Sequence, residues 1–470
     1  MEYTNFSEDK LNRKMVAINL MNVIKYNPNL KVLAIDSGWG TGKTTFINMW
    51  IDMINNEKDE NEKCKYKDEY ETMYFNAWEN DFINEPIVSL LSELEKQMSE
   101  KDSHIKNILI KGKDKIKPFV QVGGKIGLKY LTKGVLDNVT WSALTEEGVQ
   151  ELSNKIGDLV FKEVEVAKKS RKSLKEDLVK FQNNINKKVI IFIDELDRCR
   201  PTYAIELLET IKHIFNIENF IFVISLDKLQ LSESIKTIYG QNMDSNGYLR
   251  RFFDLEYQLQ LNQELKQYVK FISEDLDSKF SNILFFKRFM EEIFYQEHYS
   301  LRDINKAFNY IKLVLPTIEE FTTTKKFKDS YMLLVSYLYM AFLNLKIKHS
   351  EKLEVIINGS YTDDLKYISE KLITIDKNSM NLKFENHFDD IRAKEMIENA
   401  LEKYILLIKD QQRFGKESYE FYKQDFKEDR YEVGIKKEDG TYFYDAHFKL
   451  DSLKLDIIDK INFANNIEFH

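Results

Sequence analysis

Residues 38–45 combine residue types that bind phosphate. The segment reads Gly38, Trp39, Gly40, Thr41, Gly42, Lys43, Thr44 and Thr45. Its glycines let backbone N–H groups converge on an anion without a Cβ in the way, and the helical pattern that follows adds the positive end of a helix dipole. In that geometry Lys43 meets the β- and γ-phosphates, while the Thr44 hydroxyl binds Mg²⁺. The segment therefore predicts a phosphate-binding loop.

The residues on either side of this loop decide between two interpretations of it. Ser37 stands where phosphate loops usually begin with glycine. The alternative interpretation is a glycine-rich turn between a strand and a helix, with Lys43 on the surface. An apolar strand pattern at 32–36 and an apolar helical run after the loop favour phosphate binding, because the motif carries its chemistry in a strand–loop–helix context.

A second chemical feature follows five consecutive apolar residues at 189–193. Such a run favours a strand buried on both faces, and Asp194 and Glu195 come directly after it. Ligands of open α/β sheets bind at the carboxyl ends of strands. Alone, the pair could equally be a strand followed by a solvated turn. Together with the phosphate loop it predicts a nucleotide site, in which Asp194 holds Mg²⁺ and Glu195 polarises the attacking water.

Asp197 and Arg198 come next along the chain. We interpret them as a structural pair beside the site. The alternative is that Arg198 responds to the γ-phosphate.

A parallel sheet would have to bring these groups together. Strand patterns recur at 31–36, 71–78, 219–226 and 255–259, and stretches of helical periodicity separate them. Among these stretches, 232–239 is predicted as a helix, and the segment from Tyr248 is predicted to open another. The fold class is therefore α/β. Ser225, near the end of its strand, is a candidate to sense the γ-phosphate or the attacking water.

Three arginines are candidates to act on phosphate from other parts of the fold. Arg250 and Arg251 precede the last strand, where a cation can reach the γ-phosphate of a neighbouring subunit and raise the rate roughly 10³-fold or more. For these two the alternative is surface pairing with local acids. Arg302 lies early in a helix after the sheet and could fold back over the nucleotide as a second sensor.

The composition is that of a globular protein with two or more domains: 470 residues, 43% hydrophobic and 31% charged. A formal net charge of −8 disfavours nucleic acid as an obligatory partner, although a local basic patch stays compatible with it. Cys64 and Cys199 form no disulfide framework pattern, which favours a reducing cytoplasm. The uncharged run at 330–345 is shorter than the roughly 20 residues a bilayer needs, so we expect no membrane span.

The chain divides by pattern into three parts. Residues 1–260 are predicted to form the nucleotide-binding core, with 95–185 as a helical insertion inside it. Residues 261–316 are predicted as a helical lid or sensor region. Residues 317–470 are predicted as a mainly helical domain that binds a partner or senses a signal, with a small hairpin about the Asp439-Gly440 turn.

In their order along the chain, these motifs resemble the KAP family of P-loop NTPases. The matching segments are Asp9–Arg13, Gly38–Thr44, Phe75–Trp78, Asp194–Pro201 and Tyr248–Phe252. The likeness covers about residues 9 to 310 and implies an additional-strand sheet related to AAA-like and STAND ATPases, with a helical insertion.

The likeness also implies the nucleotide and the setting. It implies adenine as the base, and the chain has no Asn-Lys-x-Asp guanine motif, since Asp227-Lys228 lacks the preceding Asn-Lys. Many family members carry transmembrane helices in the insertion, whereas this chain's insertion is too polar to span. Bacterial relatives are often tied to phage exclusion or to defence against mobile elements.

The sequence thus predicts a cytoplasmic switch that binds and hydrolyses ATP with Mg²⁺. We expect nucleotide-dependent assembly into a homo-oligomer, or docking of a partner protein through the C-terminal region. One alternative is a nucleic-acid-stimulated motor, which the acidic balance disfavours. Another is a non-catalytic scaffold that uses ATP for assembly, which the intact Lys43, Asp194 and Glu195 disfavour.

Overall fold

The computed structural model divides the chain into two compact units, Met1–Gln260 and Leu261–His470. The residues that the structure describes are 4–83, 85–99, 169, 172–261, 265–277, 279–280, 283–323, 336, 339–340, 342–351, 353, 430–436 and 442–449. Most of the predicted insertion and much of the predicted C-terminal domain lie outside these residues.

A five-stranded, all-parallel sheet forms the centre of the first unit. Its strands are β1 (Val32–Asp36), β2 (Tyr70–Asn76), β3 (Lys188–Asp194), β4 (Phe220–Leu226) and β5 (Leu255–Gln258). The strand order is β2-β3-β4-β1-β5. Strand β4 therefore lies between the strand before the glycine-rich loop and the strand before the acidic pair, which is the additional-strand arrangement. The predicted α/β fold class is confirmed.

The order of the central strands follows from their composition. Every residue of β4 is buried, and β3 is buried from Val189 to its end. A strand that is apolar on both faces is stable only where helices cover both sides of the sheet, so β3 and β4 occupy its interior. The short strand β5, which is mostly exposed, forms an edge.

Helices cover both faces of this sheet. They are α1 (Lys14–Tyr26), α2 (Lys43–Asn56), α3 (Pro86–Ser99), α4 (Pro201–Ile214), α5 (Lys228–Tyr239) and α6 (Ser245–Leu249). Residues 172–185 are also helical, which agrees with the helical pattern predicted there. On one face Trp50 of α2 packs between Phe46 and Phe192, with ring centroids 5.6 and 5.3 Å apart. On the other face Phe215 packs on Phe222 of β4 at 5.5 Å.

Two helix boundaries differ from the sequence prediction. Helix α5 begins four residues before the predicted Ser232, because the Asp227 side chain caps it by accepting a hydrogen bond from the Gln230 N–H at 3.1 Å. The segment from Tyr248 was predicted to open a helix. Instead α6 starts at Ser245, capped by Asp244, and ends before Arg250.

The amino ends of β1 and β5 are joined by one carboxylate. Asp254 Oδ2 accepts hydrogen bonds from the backbone N–H groups of Lys31 and Val32, at 2.8 and 2.9 Å. These bonds hold the start of the short edge strand beside the start of β1.

The described part of the second unit includes three helices between residues 265 and 323 and one hairpin. The helices are α7 (Leu265–Asp277), α8 (Ile283–Gln296) and α9 (Leu301–Thr323). Strands β6 (Arg430–Lys436) and β7 (Tyr442–Lys449) pair antiparallel, which confirms the predicted hairpin, although its turn lies outside the described residues. The described positions of 330–345 are helical and buried. Among the residues described, no helix combines the length and the apolar character that crossing a membrane requires.

We predict that Trp50→Ala destabilises the first unit by about 3–5 kcal/mol, because it removes a fully buried indole from between two aromatic rings. The check is the urea midpoint followed by circular dichroism. Tyr26→Ala, at a side chain that is 75% exposed, is the control and should change stability by less than about 0.5 kcal/mol. Equal midpoints for the two variants would contradict this packing role.

Candidate functional site

The glycine-rich loop leads from β1 directly into α2. Gly40 and Gly42 adopt left-handed backbone conformations, with φ of 75° and 82°, which glycine adopts without steric cost. Gly38 has no such conformation, and a Cβ built on it would meet only ordinary contact distances. Because Gly42 is the N-cap of α2 and supplies no side-chain acceptor, the first N–H groups of the helix, including those of Thr44 and Thr45, keep their capacity to bind an anion.

Lys43 lies inside this loop rather than on the surface. Its ammonium donates to the carbonyl oxygens of Ser37 and Gly38, at 2.5 and 3.0 Å. Thr41 also donates to the Gly38 carbonyl, at 2.8 Å. Burial lowers the pKa of Lys43, and a group of four carboxylates opposes that shift: Asp197, Asp227, Asp194 and Asp36. Burial and the nearby carboxylates thus act on the pKa of this lysine in opposite directions.

Two contacts anchor the base of the loop. The Ser37 hydroxyl donates to the Leu259 carbonyl just after β5, at 2.8 Å, so serine at this position has a structural partner that glycine would lack. Arg13, just before α1, is 3% exposed and donates to the Gly42 carbonyl at 3.4 Å. The arginine thus touches the residue that caps α2.

Asp194 ends β3 at the same edge of the sheet. It is 1% exposed, and its Oδ1 accepts the Glu195 N–H at 2.9 Å. The hydroxyl of Tyr74 lies 3.3 Å from its Oδ2. Burial, with Asp194 and Glu195 nearby, raises the pKa of Tyr74, so the phenol stays a donor at neutral pH. The acid is therefore oriented from two sides.

Each carboxylate oxygen of Glu195 contacts a polar side chain. Its backbone is left-handed, with φ of 60°, which turns the chain sharply out of β3. Arg198 Nη1 lies 2.8 Å from Oε1, and Asn76 Nδ2 lies 3.4 Å from Oε2. The register pairs Asn76 with Asp194, so the end of β2 places this amide beside the acidic pair.

The interpretation of Asp197 and Arg198 as a pair with each other is not what the structure shows. The guanidinium of Arg198 turns to Glu195 and lies 5.5 Å from the ring centroid of Trp78. Asp197 Oδ2 instead accepts a hydrogen bond from Trp39 Nε1. Their opposite charges at neighbouring positions favoured a pairing with each other. The three-residue turn instead directs the two side chains to different parts of the fold.

Arg200 closes the acidic segment against the loop after β2. Its backbone N–H and its Nε donate to the two carboxylate oxygens of Asp81, at 2.8 and 2.7 Å. Pro201 then begins α4 at the position where a missing N–H costs nothing. The Arg200–Asp81 contact fixes where the acidic turn ends.

Ser225 lies on β4 between the two motif strands. The register pairs it with Ile35 of β1, and it is fully buried. Side chains alternate along a strand, so Ser225 shares the face of Val223, which packs with α2. Its hydroxyl has no hydrogen-bond partner among the described residues. The structure therefore places it on the face of the sheet that carries the phosphate loop.

Arg250 and Arg251 lie near the amino ends of the strands, at the end of the sheet opposite the phosphate loop. Both are exposed, and they precede Asp254, which bonds the amino end of β1. The phosphate loop follows the carboxyl end of that same strand. Neither arginine is therefore placed to reach the phosphate loop of its own chain. Arg302 is an exposed residue of α9, in the second unit.

The donor set fits Mg²⁺ bound together with a nucleotide. Thr44 and Asp194 offer hard oxygen ligands, as Mg²⁺ prefers. In the described ranges no group of three or more His, Cys, Asp or Glu side chains is arranged to hold a metal.

Several residues of the site had no role assigned from sequence. Tyr74, Asn76 and Asp81 come from β2 and its exit, and Asp36 ends β1. The one available signal was positional: polar residues at the carboxyl ends of parallel strands share an edge. Their particular partners are more than 100 residues away along the chain, which no local pattern indicates.

Comparison with known proteins identifies a family for most of the first unit and the beginning of the second. A family model described as "KAP family P-loop domain" matches residues 13–288, which is more than half of the chain. No curated protein matches the sequence. Among solved structures, the Aeropyrum pernix ORC2 protein in ADPNP–ADP complexes is similar at 11% identity, covering 97% of this chain and 95% of that chain, with a TM-score of 0.33.

Asp36 offers a test of the charge balance at the site. Burial, and secondarily the charge of Asp227, raises its pKa, while its Oδ1 accepts the Lys228 N–H at 2.9 Å. A carboxyl group whose pKa is raised by folding destabilises the folded state as pH rises above its ordinary value near 3.8. The destabilisation by Asp36 therefore grows as the pH rises from acid towards neutral.

We predict that Asp36→Asn, which keeps the acceptor oxygen and removes the charge, has a higher urea midpoint than the wild type at pH 7. The gap should shrink as the pH is lowered towards 4. Asp68→Asn, at an exposed position, is the control for loss of one negative charge. An Asp36→Asn midpoint equal to that of the wild type at pH 7 would show that burial does not penalise this carboxylate.

Proposed function

The chain belongs to the KAP family of P-loop NTPases, and from that premise we propose that it is an Mg²⁺-dependent switch that binds and hydrolyses ATP. Family membership indicates nucleotide binding and hydrolysis. The observation that carries the proposal is the common sheet edge of β1 and β3, where Lys43 and Asp194 come close enough for the carboxylate charge to act on the ammonium.

Each part of the phosphate loop has a role in this proposal. The N–H groups of the loop, from Gly38 to Gly42, and those of Lys43, Thr44 and Thr45 surround the phosphates, as the left-handed glycines and the open N-terminus of α2 permit. Lys43 exchanges its two carbonyl acceptors for phosphate oxygens. Trp39 and Thr41 shape the loop through their own hydrogen bonds.

Thr44 and Asp194 would hold Mg²⁺, with Asp194 acting through a bound water. The ion supplies positive charge at the β- and γ-phosphates when bound. Asp194 suits this role because its two hydrogen bonds, from Tyr74 and from the Glu195 N–H, fix its orientation.

Glu195 is assigned to orient and polarise the attacking water. Its carboxylate already bonds Arg198 and Asn76, so its position is defined before water arrives. The buried, unpartnered hydroxyl of Ser225 supports a sensor role towards the γ-phosphate or that water. Arg302 stays a candidate second sensor from the second unit.

Arg250 and Arg251 are proposed to act in trans, on the nucleotide of a neighbouring copy. Support comes from their exposure and from their place near the amino ends of the strands, whereas the phosphate loop follows a carboxyl end. That arrangement suits a head-to-tail contact between copies. A partner protein that docks on residues 317–470 is the other route to regulation. Defence against phage or mobile elements enters the proposal from family likeness alone.

We predict that Lys43→Ala loses measurable ATP binding, since it removes the cation that meets the phosphates. Glu195→Gln should bind ATP normally and hydrolyse it roughly 10²- to 10⁴-fold more slowly. Titration calorimetry and phosphate release measure the two effects. Lys187→Ala and Glu69→Gln, which alter a half-buried residue just before β3 and an exposed residue just before β2, are the matched controls. Equal turnover by wild type and Glu195→Gln would remove Glu195 from this role.

We predict that the Glu195→Gln protein gains mass by light scattering with ATP–Mg²⁺, and not with ADP or without nucleotide. Arg250→Ala or Arg251→Ala should lower wild-type turnover by roughly 10³-fold if that arginine is the trans-acting cation. Lys236→Ala, at a partly buried lysine of α5 that pairs with Glu233, is the control. The trans role fails if both arginine variants keep full turnover and ATP-dependent assembly.

A further inference from the structure

Trp39 links the phosphate loop to the acidic turn. Its ring is 47% exposed, yet its Nε1 donates a hydrogen bond to Asp197 Oδ2. The two residues are 158 positions apart in sequence. The contact therefore joins the loop after β1 to the turn after β3, across the intervening strand β4.

Asp197 is buried, with one of its carboxylate oxygens unpaired in the described part of the chain. It is 8% exposed, and its Oδ1 has no hydrogen-bond partner among the described residues. Its neighbour Arg198 pairs with Glu195 instead. Burial of a carboxylate is costly unless hydrogen bonds or opposite charge offset it, so the indole N–H contributes a large part of what holds this group in place.

Lys43 is the opposite charge that offsets this burial. Burial lowers the pKa of Lys43, and Asp197 is the foremost of the carboxylates that oppose the shift. The ammonium also bonds the carbonyls of Ser37 and Gly38, the two residues before Trp39. Asp197 thus acts on the loop twice, through the indole and through the charge of the lysine.

One short turn supplies both Asp197, which bonds Trp39, and Arg198, which pairs with Glu195. The 3₁₀ turn Leu196–Arg198 begins directly after Glu195, and Arg198 at its end returns to the glutamate. Asp197, in the middle of the turn, binds the phosphate loop. The turn therefore fixes the loop and the water-orienting carboxylate with respect to each other.

We propose that Asp197 is a positioning residue for hydrolysis, which acts through the hydrogen bond from Trp39 to hold the phosphate loop in register with Glu195. This inference rests on the proposed ATPase function. Hydrolysis depends on the placement of phosphate against water to within about 1 Å, and a misplacement of that size can cost about 10²-fold in rate. Nucleotide binding depends first on the loop N–H groups and on Lys43, all of which remain when this contact is removed, so the loss should fall on hydrolysis more than on binding.

The experiment is a double-mutant cycle on ATP turnover with Trp39→Phe, Asp197→Ala and the double variant. The turnover number is expressed per site that binds ADP, so that misfolded molecules do not count. We expect each single variant to lower kcat about tenfold or more, as for loss of a hydrogen bond to a charged group, and to change ATP affinity by less than about threefold. The double variant should be no slower than the slower single variant.

Asp197→Asn is the matched conservative variant. Its amide oxygen can still accept the indole N–H, so it should retain clearly more turnover than Asp197→Ala. Losses that multiply in the double variant, or full turnover in Trp39→Phe, would overturn the positioning role while the ATPase function stands. A wild type that neither binds nor hydrolyses ATP would instead overturn the proposed function, and this inference with it.

Discussion

Parallel pairing of β3, β4 and β1 is the constraint on which the rest of the first unit depends. Because the three strands run in one direction, the polar residues that end them emerge at one edge. The buried apolar side chains of β3 and β4 require helices on both faces, and α2 is one of these helices. The helix that completes the core thus also delivers Lys43 to the edge where Asp194 emerges.

A balance of buried charge follows from that convergence. One lysine lies within electrostatic reach of four carboxylates, those of Asp36, Asp194, Asp197 and Asp227, where burial of each charged group alone would be costly. A protein that concentrates acids around one cation at a sheet edge gives up stability there. A divalent cation would oppose this excess of negative charge, which is consistent with a site that holds a metal together with a nucleotide.

The backbone is also strained directly after β3, at Glu195. Glu195 has φ of 60°, a conformation that costs a non-glycine residue of order 1 kcal/mol or more. The sharp turn it makes releases Asp197 towards Trp39 and Arg198 towards Glu195. Strain and buried acids therefore occur in the same few residues, where function rather than stability has shaped the fold.

The sequence by itself determined the elements and the motif residues, because strand and helix periodicity and the glycine–lysine–threonine spacing are local properties. It predicted all five strands of the sheet to within two residues at each end, and it identified Lys43, Asp194 and Glu195 as the candidate centre. It missed the start of α5, which one capping carboxylate moves by a turn. Only the tertiary structure decided which side chains meet: Trp39 with Asp197, Asn76 with Glu195, and Asp81 with Arg200. Those contacts join residues more than 100 positions apart, and strand order and turn geometry, rather than any local pattern, bring such residues together.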